Sequence, residues 1–315
     1  KIYYVFLDEV QNVDKFELVV NSLRASLTNI SIFITGSNSK LLSEEISTVL
    51  SGRYVSFNIN PLNYKEYVEI TNKNPNEENT FWDFVQWGGL PNRTQFTDEN
   101  NIKDYLHSVF DSIILRDVVS RLGLKDIVLF NLILQYIVDT IGREFSAKNI
   151  INFLKSEGRE ISTITLYNYL EALCKALIIK KIYRYDIHGK AILKTLNKYY
   201  VTDLGIAQIK SNNFEINKPF ALENVVFNEL ITRGYEVYIG KTKKGEIDFI
   251  ATNTKEKLYF QIAYYLSDEK VVEREFGAFK DIEDNYTKYV LSMDKCDFSK
   301  DGIIHKNIIE WLLER

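Results

Sequence analysis

The first dozen residues constrain this chain most. Ile2-Tyr-Tyr-Val-Phe-Leu7 is an unbroken β-prone apolar run that leads straight into two adjacent carboxylates, Asp8 and Glu9. A strand apolar on both faces reads as a buried strand of a parallel sheet. Parallel strands require crossover connections, so this run commits the chain to βαβ construction. A second apolar run, Ser31-Ile-Phe-Ile-Thr35, ends in Gly36-Ser37-Asn38. Between the two, Phe16, Val19, Val20, Leu23 and Leu27 fall on one helical face. Ligands of βαβ units bind beyond the carboxyl ends of the strands, which brings Asp8, Glu9, Ser37 and Asn38 to one edge. There the first carboxylate can hold a hydrated Mg²⁺ and the second can activate a water. The alternative is a strand followed by an acidic turn. Because the buried run starts at residue 2, the expectation is that the chain is part of a longer protein or that another chain completes its sheet.

Composition sets wider bounds. The 315 residues, 45% hydrophobic and 26% charged, suit a water-soluble chain with two or three cores. A net charge of −4 implies no global attraction to nucleic acid or membrane, so any such contact must come from a local patch. Cys174 and Cys296 are too far apart in sequence to form a disulfide framework or a metal-ligand pair. No apolar run approaches the ~18 residues of a membrane span. A cytoplasmic protein with no membrane partner is expected.

Further along, residues 40–50 read as a short helix, Val55–Ile59 as a third strand, and Pro61 as the first residue of another helix. Four stretches now stand in order: Val-Phe-Leu-Asp8-Glu9-Val-Gln, Ile-Thr-Gly-Ser37-Asn, Leu-Ser-Gly-Arg53-Tyr and Pro61-Leu-Asn-Tyr-Lys-Glu-Tyr. Together they resemble a prokaryotic AAA-type P-loop ATPase family whose members carry a C-terminal domain of the DUF4143 class. The resemblance implies ATP and Mg²⁺ as cofactors. It makes Asp8 and Glu9 the Walker B pair, with Asp8 near the metal and Glu9 polarising the attacking water. Ser37, with Asn38 as its alternative, becomes the γ-phosphate sensor, and Arg53 resembles an arginine finger serving its own or a neighbouring subunit. A surface arginine capping a helix end is the other reading of Arg53. One departure stands out: no Gly-x-x-x-x-Gly-Lys-Ser/Thr occurs in the 315 residues, so no backbone cradle for the β- and γ-phosphates is present in them.

The middle of the chain is helical. Trp87-Gly88-Gly89-Leu90-Pro91 resembles a loop of the same family, and Tyr105–Leu122 reads as a helix containing Arg116-Asp117, a structural ion pair. Helices at 127–141, 145–154 and 162–177, followed by β-runs at 178–185 and 193–201, have the order of a winged helix. Six Lys or Arg against one acid between 176 and 200 make the wing basic. Lys180, Lys181, Arg184 and Lys190 are therefore the candidate nucleic-acid contacts. Protein docking is the competing use, and His188 is an exposed tip residue.

From residue 213 the pattern changes: a helix at 221–230, a hairpin of strands at 235–240 and 245–251, a central strand at 258–264, a helix at 273–282, and strand and helix signals to the end. This resembles the PD-(D/E)xK restriction-endonuclease-like fold. The resemblance places Glu223 and Asp248 at acidic metal positions and Gln261 where an acid is usual, while Ala263 stands in place of the catalytic lysine. Lys241, Lys243 or Lys244 could reach in from the hairpin to replace it. A degenerate domain kept for its fold, or for docking, competes with a divergent Mg²⁺ nuclease.

The expected architecture is thus α/β and multidomain. It comprises a partial P-loop ATPase parallel sheet (1–95), a helical and winged-helix middle (96–212), and a restriction-endonuclease-like αββαβ domain (213–315). Metal is expected at Asp8 and at Glu223, Asp248 and Gln261. The expected function is nucleotide-dependent binding of DNA, a protein partner or further copies of the chain; the rivals are a Mg²⁺ nuclease and an interaction scaffold. Residues 1–315 alone are expected not to hydrolyse ATP, and phosphate release above buffer from the purified chain would overturn this.

Overall fold

The computed structural model describes residues 1–10, 13–36, 52–113, 118, 126–211, 217–243 and 245–314. They form two compact units, one of residues 1–59 with 175–177, the other of residues 60–174 and 178–315. Among the described residues no helix is long and apolar enough to cross a membrane.

The first unit is the expected βαβ. β1 (Tyr3–Leu7) and β2 (Ile30–Ile34) pair in parallel, Tyr3 opposite Ile30 and Leu7 opposite Ile34, with α1 (Phe16–Ser26) as the crossover. Val20 of α1 is buried against Leu7, Phe16, Ile32 and Ile34, which covers one sheet face. On the opposite face Tyr4, Phe6 and Phe33 are exposed, and the rings of Phe6 and Phe33 stack 5.1 Å apart. The expected third strand does not form. Val55–Ile59 has no ladder partner among the described residues, and Val55, Phe57 and Ile59 are each more than three-quarters exposed. The expected helix over 40–50 and the pair Arg116-Asp117 lie outside the described residues.

The second unit opens on α2 (Tyr64–Thr71). This helix does not start at Pro61. Asn63 is its N-cap, accepting from Glu66 N while the Glu66 carboxylate accepts from Asn63 N, a reciprocal capping box. α3 (Glu78–Trp87), a 3₁₀ turn (Pro91–Gln95) and α4 (Glu99–Ile113) follow. Asp83 ties α2, α3 and the turn together: it accepts from Tyr67 Oη at 2.5 Å and meets Lys73 Nζ at 2.8 Å and the fully buried Arg93 at 3.2 Å. Burial works against its charge, but the Lys73 and Tyr67 bonds and the Arg93 guanidinium hold its carboxyl below the ordinary range.

Three helices come next: α5 (Ile127–Asp139), α6 (Ala147–Ser156), N-capped by Ser146 as expected, and α7 (Thr163–Lys175). They lead into the hairpin of β3 (Ile179–Asp186) and β4 (Ala191–Val201). After α8 (Leu204–Lys210) and α9 (Lys218–Thr232) come β5 (Glu236–Lys241), β6 (Glu246–Thr252), β7 (Lys257–Ile262), α10 (Glu269–Gly277), β8 (Thr287–Ser292), β9 (Ile303–Asn307) and α11 (Ile308–Leu313). The helix expected at 273–282 begins instead at Glu269, because Asp268 caps it by accepting from Val271 N. One seven-stranded sheet, in the order β4-β3-β5-β6-β7-β8-β9, runs across position 212: β3 pairs in parallel with β5. On one face α9 lays Phe227 against Tyr200 and Phe249, and α11 lays Trp311 against Phe260. On the other, Phe276, Phe279 and Ile282 close over Ile247, Ile250, Tyr259 and Val290.

Asp203 explains the glycine pair of the middle segment. Its buried carboxylate accepts from Gly205 N at 2.9 Å and Ile206 N, capping α8, and from Gly89 N at 2.7 Å. Gly88 has φ +73°, and a Cβ there would collide with this carboxylate; a Cβ on Gly89 would collide with the Leu62 carbonyl. Burial pushes the Asp203 pKa up to about 6, against the pull of its three N–H donors and Arg93. The folded chain therefore binds a proton here that the unfolded chain, with an aspartate near 3.9, has released. The contribution favours folding below about pH 4 and is lost as the pH rises through 6, a swing of about 3 kcal/mol. Urea denaturation of Asp203→Asn is expected to lack this component of the pH dependence, and Asp203→Ala to lose about 2–4 kcal/mol by orphaning buried donors.

Candidate functional site

In the first unit the two strand tips meet as expected. Thr35 N donates to Leu7 O at 2.9 Å, and the Thr35 hydroxyl donates to Asp8 Oδ1 while accepting from Glu9 N at 3.3 Å. Glu9 takes the left-handed φ of 50°, a conformation costly for a non-glycine residue. The chain then turns back so that Val10 N reaches Thr35 O. Asp8 thus sits exposed at the carboxyl edge of the sheet, one oxygen fixed by Thr35 and the other unengaged among the described residues. Ser37 and Asn38 lie outside the described residues. Arg53 is not brought to this edge: its guanidinium donates to Asn21 Oδ1 at 2.9 Å, and its carbonyl accepts from Arg24, both on α1. Thr35 is the residue that sequence reasoning left out, although it stands within the Ile-Thr-Gly-Ser37 stretch.

A second polar site lies in the other unit, beside a recess of about 670 Å³ lined by Glu223, Thr242, Glu246, Asp248, Gln261 and Arg274, among others. Ladder irregularities shape it. Tyr238 opposes Ile250 and Gly240 opposes Ile247, so Asp248 and Phe249 together face Ile239 alone, a β-bulge of the kind that re-aims a side chain. The β3–β4 ladder is likewise broken between Ile182 and Arg184, next to Lys198. Lys198 Nζ reaches Glu246 Oε1 at 2.5 Å and Glu223 Oε1 at 3.4 Å, and the Tyr200 hydroxyl donates to the same Glu223 oxygen. Asp248 Oδ2 accepts from Ile262 N at 2.8 Å, and Gln261 Oε1 accepts from Asp248 N at 3.4 Å. Arg184 spans Glu144 at 2.7 Å and Glu246 at 3.4 Å.

Electrostatics set the protonation. Burial works against the Lys198 charge, but Glu223, Glu246 and Asp248 outweigh it and hold its pKa above the usual lysine value, so the ammonium persists. Burial raises Glu223 despite Lys198 and Tyr200, and burial with the Glu223 charge raises Asp248 well above the carboxylate range. Glu223, Asp248 and Gln261 thus converge, but the cation among them is Lys198, which the sequence suggested only as a wing residue. Lys241 does not reach in: it lies 3.6 Å from Asp186. Lys243 is exposed, and Lys244 lies outside the described residues. The one available signal was the alternation of Lys198 with Tyr200, which puts both on one face of β4.

The expected nucleic-acid contacts separate into two pairs. Lys180 is half-buried, donates to Asn60 Oδ1 at 3.0 Å and has its pKa lowered by burial. Arg184 is buried in its ion pairs. Both are engaged by other side chains of the protein, as befits β3 lying inside the sheet rather than at its edge. Lys181 is partly exposed beside the Tyr183 ring, and Lys190 is exposed at the turn with His188.

Residues 1–68 match the AAA domain family, and residues 78–215 match a domain of unknown function, DUF8612, rather than the DUF4143 class. An uncharacterised protein of Haemophilus influenzae is 36% identical over 318 residues, covering all of this chain and 78% of that protein. An uncharacterised protein of Methanocaldococcus jannaschii is 34% identical over 314 residues, covering 94% of this chain and 70% of that one. A solved Walker-type ATPase of Pyrococcus abyssi is similar at 16% identity and a TM-score of 0.45, over 66% of this chain and 63% of that one. The chain belongs to the family of these Haemophilus and Methanocaldococcus proteins, and its amino-terminal part relates that family to the P-loop ATPases.

Proposed function

We propose that the chain carries the Walker B side of an ATP site and uses nucleotide state to control the docking of a partner. One observation carries the reading: Asp8 stands at the carboxyl edge of a parallel βαβ with one oxygen fixed by Thr35 and the other unengaged among the described residues. The donor chemistry fits Mg²⁺, a hard cation bound through one or two carboxylates together with phosphate oxygens and water. Mg²⁺ would neutralise phosphate charge. Asp8 would bind it, directly or through water, and Thr35 would keep Asp8 oriented. Glu9 follows on the left-handed turn, where its carboxylate can polarise a water. Arg53, held on α1, is available as a finger only to a triphosphate outside this βαβ edge. If the partner is DNA, the contact rests on Lys181 and Lys190, and retention on duplex DNA should weaken with salt, with a slope of about −2 in log K against log salt.

The winged-helix and nuclease-like readings stay proposals of fold. Helices α5–α7 with the β3–β4 hairpin have the winged-helix order, and α9 to β8 runs αβββαβ, one strand more than the expected αββαβ. The metal chemistry of a nuclease does not fit the recess. Among the described residues no three His, Cys, Asp or Glu are placed to hold a metal ion, and the oxygens of Glu223, Asp248 and Gln261 named above are engaged within the protein. The second unit is therefore read as a scaffold for docking.

The test uses the protein at the length of its relatives. Glu9→Gln should lower ATP turnover about 10²–10⁴-fold with nucleotide binding kept, and Asp8→Asn should abolish the Mg²⁺ dependence of that binding. Unchanged turnover in Glu9→Gln would sink the reading.

A further inference from the structure

A small cavity of about 40 Å³ lies in the second unit between the loop at 60–63, β3 and α9. Phe84, Leu204 and Val225 give it apolar wall, and Asn63, Lys180 and Glu229 line it with polar groups. Asn63 and Glu229 are 7% and 2% exposed, yet each keeps one buried atom, Asn63 Nδ2 and Glu229 Oε2, without a hydrogen-bond partner among the described residues. A buried polar group left so is costly, and in folded chains nearly all find a partner.

Each of the two is stranded for a geometric reason. The Asn63 carbonyl oxygen caps α2 by accepting from Glu66 N at 2.9 Å, so the amide cannot turn its nitrogen elsewhere without losing the cap. Glu229 Oε1 accepts from Arg233 Nε at 2.6 Å, but Arg233 sends Nη2 to the carbonyls of Trp311 and Glu314 and leaves the second carboxylate oxygen out. Lys180 commits one ammonium proton to Asn60 Oδ1 at 3.0 Å, and burial lowers its pKa with no carboxylate set against it. The cavity is thus edged by two donors with protons to spare and one acceptor with a free lone pair.

These edges select their guest. An anion would meet Glu229 and also Asp203, which lines the cavity with its oxygens already engaged by three N–H donors. A cation would meet Lys180. A neutral molecule that accepts from Lys180 or Asn63 and donates to Glu229 satisfies all three. At roughly 10–15 Å³ per water the space holds about three, and a buried water makes about three hydrogen bonds.

We propose that the cavity is a built water site, in which one to three ordered waters join the Lys180 ammonium and the Asn63 amide to Glu229 Oε2 as a water-mediated ion pair. The bridge ties the loop leading into α2 to β3 and α9, and it gives Lys180 a structural role within the chain. It is independent of the ATP-site reading.

A crystal structure of the full chain with ordered solvent tests it. The expected result is a chain of waters from Lys180 Nζ to Glu229 Oε2, with Asn63 Nδ2 donating to one of them and each contact within about 3.2 Å. A dry cavity, a direct contact between Lys180 and Glu229, or a solute other than water in that place would overturn the proposal. A double-mutant cycle in urea with Lys180→Met and Glu229→Gln, which keeps the Arg233 bond, supplies a second readout. The combined loss in the folding constant should fall short of the product of the single losses by at least about 2-fold. Losses that multiply without coupling count against the bridge, and where a variant does not fold the crystal structure decides alone.

Discussion

The second unit depends on three residue pairs: Arg184 with Ile239, Tyr185 with Gly240, and Asp186 with Lys241, the parallel ladder that joins β3 to β5. Without it the β3–β4 hairpin would be a free wing, with its cations in solvent. With it, β4 becomes the edge of a sheet reaching to β9, and Lys198 is carried to Glu223 of α9 and Glu246 of β6. Gly240 of that ladder must stay small for the sake of the next strand: a Cβ there would come within 2.9 Å of Ile247 Cβ on β6. Burial then decides the chemistry. Arg184, read from sequence as a phosphate contact, and Lys198, counted only among the basic residues of the wing, become desolvated partners of carboxylates, and such pairs persist only when their geometry satisfies both charges.

This shows how far the sequence could be read. Helix and strand positions follow from periodicity and caps, and most are found within two or three residues of the expected bounds. Ser146 capping α6 and the apolar run of β1 are local signals. What was not legible is non-local. Val55–Ile59 has strand-like residues but no neighbour among the described residues to complete a ladder, and composition cannot supply one. The bulge at Asp248 depends on pairing with β5, and the role of Lys198 depends on β3 meeting β5, a contact between segments more than fifty residues apart. A positive charge in a hairpin carries no mark of the side it will face.

The glycine pair at 88 and 89 illustrates the same limit from the other direction. Read as a loop motif, it suggested a family but no mechanism. In the folded chain it is the space required by Asp203, more than a hundred residues later, whose carboxylate must reach Gly89 N while capping α8. Two segments with no sequence relation are thus coupled through one buried charge. The cost of burying it is offset only in part by three N–H donors and by Arg93, itself anchored on Asp83.

The first unit obeys a different economy. Its strands read as apolar on both faces because parallel strands are covered on both faces, yet α1 covers only the side that carries Val5, Leu7, Ile32 and Ile34. Tyr4, Phe6 and Phe33 keep their rings largely in solvent and pack mainly on each other. The position of Asp8 therefore does not rest on a buried core around it. It rests on the β1–β2 register, in which Leu7 opposite Ile34 sets Thr35 beside Asp8, and on the Thr35 hydroxyl that links the Asp8 side chain to the Glu9 backbone. A slip of one residue would turn the aromatic face onto α1 and carry Thr35 away from Asp8, so register alone accounts for both the bare face and the oriented carboxylate.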